Sequence, residues 1–105
     1  ILAGDLAELI LSCAGNPRAT GRIFCAAGPD IVASRRYYQT IADVLGVGLT
    51  VEEVPVDQHR RAQPESAPFL CHRVYDLGLL RAAGLRVPAT PLAQGLRDHI
   101  RSLLA

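Results

Sequence analysis

The chain has 105 residues, half of them apolar, and a formal charge of +1. That suits one small domain burying roughly two-thirds of its unfolded surface. All eleven basic residues are arginines, so chemistry that needs an ε-amine is excluded: Schiff bases, a phosphate-loop lysine, a Tyr-Lys catalytic pair. Arginines and acids are interspersed, and only the short pairs Arg35-Arg36 and Arg60-Arg61 break the mixture, so a nucleic-acid-binding stripe is not expected.

Cys13, Cys25 and Cys71 are odd in number and far apart, outside any zinc-ligand or disulfide spacing. A reducing, cytoplasmic setting fits this usage. No apolar run is long enough to span a bilayer, and no basic-then-apolar leader opens the chain. It starts at Ile1 without a Met, as a fragment or processed chain would.

In chain order, Asp5 can cap a helix over Leu6–Ala14, whose Leu6, Leu9, Ile10 and Cys13 form one stripe. Gly15-Asn16-Pro17 stops it. Arg22–Ala27 carries little charge and reads as a buried strand that leaves at Gly28-Pro29. Ser34 can cap Arg35–Leu45, with Tyr38, Ile41, Ala42 and Leu45 on one face and Gly46 as the stop. Leu49–Val56 reads as a second strand, with Pro55 at its exit.

Asp57–His72 has no clear period and reads as a loop or irregular helix, long enough to cover or bind something. Asp76 can cap Leu77–Ala83, which Gly84 closes. Thr90-Pro91 starts a last amphipathic helix, Leu92–Leu104, in which Gly95 implies a close neighbour. These elements predict an α/β unit with two short, parallel strands and about four helices. So little sheet leaves a face uncovered, to dock on something beyond these residues or on another copy of the chain.

The order of these segments resembles the C-terminal substrate-binding region of the extended short-chain dehydrogenase/reductases, the NAD-dependent epimerase/dehydratase family. The similarity is carried by Gly4-Asp5-Leu6-Ala7, by Gly21-Arg22-Ile23-Phe24-Cys25-Ala26-Ala27-Gly28, and by Ser34 through Leu45-Gly46. It continues through Arg73-Val74-Tyr75-Asp76-Leu77 to Gly84, then Pro88, Thr90, Leu92 and Gly95-Leu96. Cys25 departs from the family's usual Asn, and Gly78-Leu79 from its usual Ser-Lys.

The resemblance implies a small C-terminal domain, residues 1–105, that lacks the Rossmann domain and is not catalytic alone. Its partner would be a missing N-terminal domain that binds NAD or NADP and carries the chemistry. Its substrate would be a nucleotide-sugar or similar small molecule. The family's glycine-rich fingerprint and Tyr-x-x-x-Lys pair are absent: Gly46-Val47-Gly48 follows a helix instead of a strand, and Ile41 and Ala42 stand four residues beyond Tyr37 and Tyr38.

Arg73 falls where the family meets substrate phosphates, a task suited to a planar guanidinium; the alternative is an ion pair with Asp76 or another acid. Phe69 and His72 are the other candidate substrate contacts, against the plainer alternatives of a core Phe and a solvated His. His59 and His99 are expected on the surface, and Cys25 as an inert buried thiol. A non-catalytic binding or assembly module is the competing function. Pro68-Phe69, His72 and Asp76 are similar to a region of RNA-associated plastid members of the family, although weak basicity argues against RNA.

Overall fold

A computed structural model describes residues 1–105. Every regular element in it is helical: α1 (Ala3–Cys13), α2 (Ser34–Leu45), α3 (Val56–Ala62), a 3-10 helix (Pro64–Phe69), α4 (Gly78–Ala82) and α5 (Leu92–Leu104). The expected α/β unit with two strands is therefore corrected to an all-helical chain. A strand is defined by its ladder, and the segments at Arg22–Ala27 and Leu49–Pro55 have none. No main-chain group from Ile23 to Val32, or from Gly48 to Val54, hydrogen-bonds to another part of the chain.

Helix ends depart from the sequence reading where capping chemistry is reassigned. α1 begins at Ala3, and Asp5 lies within its first turn. Its carboxylate turns away instead, to accept from the Ala89 amide at 3.2 Å, the Thr90 amide at 2.9 Å and the Thr90 hydroxyl at 2.7 Å. α2 includes Ser34 as its first residue, with Ala33 as the uncapped N-cap. Val56, placed in a strand by sequence, opens α3, and the expected irregular stretch after it holds α3 and the 3-10 helix.

Other signals act where they were read. Gly46 adopts φ 68°, and the Gly46 and Val47 amides return to the Ala42 and Asp43 carbonyls to close α2. Asp76 accepts from the Gly78 amide at 2.7 Å at the start of α4. α5 spans the expected residues, but its N-terminal cap comes from afar: the Asp30 carboxylate accepts from the Leu92 amide at 2.5 Å. A Cβ at Gly95 would meet Leu2 at an ordinary 3.7 Å, so no close approach demands a glycine there.

The core is one small cluster, Leu9, Leu77, Leu80, Ala83 and Leu85, with Phe24, Ala26, Ala27 and Val87 packed at its border. Polar ties from α1 and the turn that follows it hold the 83–90 segment over it. Asn16 donates to the Ala83 carbonyl at 2.9 Å, the Arg86 amide donates to Ser12 Oγ at 3.0 Å, and Arg86 pairs with Glu8 at 2.8 Å. α2 packs on α5, burying Ala42 and Thr40 and half-burying Leu92, Leu96 and Ile100.

The α1 stripe is only partly covered: Leu9 is buried and Cys13 half-buried, whereas Leu6 and Ile10 are exposed. The molecule is a slab of 48 × 38 × 18 Å with a radius of gyration of 17.3 Å; a compact chain of this length would have about 13 Å. Its accessible surface is 8125 Å². Against an unfolded surface of about 16,400 Å², folding hides about half, short of the two-thirds a compact domain would reach. No helix is long and apolar enough to cross a membrane.

Candidate functional site

The segment that follows α3 carries the sequence-derived candidates. Pro64 starts the 3-10 helix, and Pro68, which has no amide to donate, stands next to its last residue, Phe69. The chain then runs without regular structure from Cys71 to Leu77. Phe69 is 71% exposed, not a core residue as the plainer sequence reading had it.

Arg73 returns over this corner. Its guanidinium carbon lies 5.9 Å from the centre of the Phe69 ring, within cation–π range, and its Nη2 donates to the Pro68 carbonyl at 3.3 Å. The Cys71 thiol donates to the same carbonyl at 3.7 Å. Hydrogen bonding to Cys71, and then the fields of Cys71 and Tyr75, push the guanidinium above its already high ordinary pKa, so it is a cation at any working pH.

The alternative partner for Arg73, Asp76, is engaged elsewhere on the Gly78 amide. The ion pairs of the chain are Arg35–Glu53 and Arg86–Glu8, and neither involves Arg73. The corner therefore presents an exposed aromatic face beside a guanidinium without a carboxylate. It brings Arg73 and Phe69 together. His72, between them in sequence, is exposed and makes no hydrogen bond or ion pair.

Two further sequence readings change. Cys25 is exposed, not buried, although Phe24 and Ala26 on either side of it pack against the core. His59 is half-buried in α3, while His99 is exposed on α5.

A second concavity escaped the sequence reading. It encloses about 370 Å³, and its walls include Leu2, Pro29, Tyr37, Leu96 and His99. Asp30 and Thr90 also face it, but the Leu92 amide and Asp5 already occupy their polar atoms. The Tyr37 hydroxyl and the His99 ring also line it. Tyr37 stands edge-on to Tyr38, with ring centres 5.4 Å apart. Four separate stretches of chain build this wall, so no local motif announces it.

Gly46 is consumed in stopping α2, and there is no lysine to pair with Tyr37 or Tyr38. No three His, Cys, Asp or Glu side chains converge. No family model, curated protein or solved structure matches the chain.

Proposed function

We propose that this chain is the substrate-binding part of an NAD(P)-dependent epimerase, dehydratase or reductase of the extended short-chain type. Its substrate is a nucleotide-sugar or similar anionic small molecule, and hydride chemistry resides in a partner dinucleotide-binding domain. The observation that carries this reading is Arg73: an exposed guanidinium without a carboxylate partner, braced by the Pro68 carbonyl and the Phe69 ring. It stands in the Arg-x-x-Asp word that meets phosphates in the family this sequence resembles. A planar fork of donors suits two phosphate oxygens at once, and the ring beside it offers a face for a base or sugar.

The test is a nuclear magnetic resonance titration of the chain with pyrophosphate. The Arg73 Nε–H and the Phe69 ring resonances should move and saturate at millimolar ligand, and Arg73→Ala should abolish the effect. Arg73→Lys should retain charge but lose most of the affinity, because a point charge cannot hold two oxygens in a plane. Resonances at Arg73 that stay still while others move would refute the assignment.

A further inference from the structure

Where the turn after α1 meets α4, a third concavity of about 400 Å³ shares no residue with the Arg73 corner or with the concavity at Tyr37. Arg18, Arg22, Ile23 and Phe24 line it from the turn and the segment that follows, Leu79 and Ala82 from α4. Asn16 ties these two walls together. Its side-chain nitrogen donates to the Ala83 carbonyl at 2.9 Å, and its side-chain oxygen accepts from the Arg18 amide at 2.9 Å. The Arg22 amide closes the turn on the Ala19 carbonyl at 3.2 Å. The backbone that carries both arginines is thus fixed before anything binds, which lowers the ordering cost of a ligand.

The lining mixes two chemistries. Arg18 and Arg22 belong to neither ion pair of the chain, and no acidic residue lines the concavity. In the same wall Ile23 is 93% exposed, and Leu79 is exposed on α4. Arginine stems commonly lie over such apolar surface and keep only the charged head in water; at Ile23 neither stem does so. Two cations without a carboxylate, next to uncovered aliphatic carbon, match a ligand with an anionic head and an apolar tail.

We propose that this concavity binds a soluble phosphate monoester bearing a short apolar chain, with its head at Arg18 and Arg22 and its chain over Ile23 and Leu79. A guanidinium fork matches phosphate oxygens. A phosphate monoester carries about two negative charges near neutral pH, one for each arginine, whereas a carboxylate leaves one arginine unmatched. The chain adds the gain of taking Ile23 and Leu79 out of water. This second site goes beyond the substrate contact at Arg73 and stands or falls without it.

The test is a titration of the chain with octyl phosphate, followed at the Ile and Leu methyl groups by nuclear magnetic resonance. The Ile23 and Leu79 methyls should move together and saturate, with half-saturation at about one millimolar or below. Inorganic phosphate, which lacks the tail, and octanol, which lacks the head, should each bind about tenfold or more weakly. Arg18→Gln and Arg22→Gln, both at exposed positions, should each weaken octyl phosphate about tenfold. Added salt should weaken it as well, and Arg73→Ala should leave these methyl shifts unchanged. Octanol binding as tightly as octyl phosphate, or arginine variants that bind like the parent, would reduce the site to a plain apolar patch and overturn the proposal. Loss of the shifts in Arg73→Ala would move the phosphate to the other corner and overturn it too. So would methyls that ignore octyl phosphate in a chain that co-sediments with phosphatidylcholine vesicles containing phosphatidic acid, because the patch would then meet a membrane surface.

Discussion

Leu80 is 1% exposed at the centre of the five-residue cluster, while its neighbour Leu79 is 62% exposed. Replacing Leu80 by Ala removes three buried carbons and leaves a void among Leu9, Leu77 and Leu85. Such substitutions cost about 2.7–5 kcal/mol, depending on how far the surroundings collapse. In a slab 18 Å thick the cluster lies close to solvent on both sides and can relax, so the lower end applies, about 3 kcal/mol. With a urea slope of about 1–1.5 kcal/mol/M, the midpoint should fall by about 2–3 M. Leu79→Ala should stay within about 0.5 kcal/mol of the parent. Urea titrations followed by circular dichroism at the helical band measure both. A Leu80→Ala loss below about 1 kcal/mol, or equal losses at the two sites, would refute the assignment of the core.

The other predictions address caps, titration and cofactor. Three hydrogen bonds, the Thr90 hydroxyl's first, hold the Asp5 carboxyl below its ordinary pKa of 3.8. A carboxyl with a lowered folded pKa contributes stability above its unfolded pKa and loses it as pH falls through the folded value. Urea midpoints taken from pH 6 downwards should therefore drop below about pH 4 in the parent, and less steeply in Asp5→Asn. Gly46→Ala places a side chain at φ 68° and should cost about 1–2 kcal/mol, read as a lowered thermal midpoint. Gly95→Ala should raise the midpoint by up to about 1 kcal/mol in stability, because the added methyl meets Leu2 at 3.7 Å without crowding. Calorimetry of residues 1–105 with millimolar NAD or NADP should show no saturable heat; micromolar binding would overturn placement of the cofactor in a partner domain.

Local signals in this sequence were legible because local chemistry decides them. Gly46 and Gly84 stop helices through their own left-handed torsion, and the spacing of Leu92, Leu96 and Ile100 marks α5 to its last residue. The two strands were misread because Arg22–Ala27 and Leu49–Val56 have the composition of strands, while a strand needs a second chain segment that a one-dimensional pattern does not show. The caps misread at Asp5 and Ser34 are related cases. Asp5 bonds Thr90, eighty-five residues away, and the cap of α5 comes from Asp30, sixty-two residues away.

At the candidate site, Arg73 and Phe69 were each named as candidate substrate contacts, and the structure sets the guanidinium 5.9 Å from the ring centre, four positions along the chain. The exposure of Phe69 was not foreseen, because an aromatic residue is buried by default and nothing nearby in sequence says that the core lies elsewhere. The concavity at Tyr37 and His99 was out of reach for a different reason: its walls meet only after α2 has packed on α5.

The flatness of the molecule bears on how its assembly state can be measured. A radius of gyration of 17.3 Å is that of a compact protein of about 230 residues, more than twice the length of this chain. A single copy will therefore leave a gel-filtration column near the volume of a globular dimer, and a retention time alone will misname it. Mass must be read without assuming shape, by light scattering or sedimentation equilibrium, before any partner is counted.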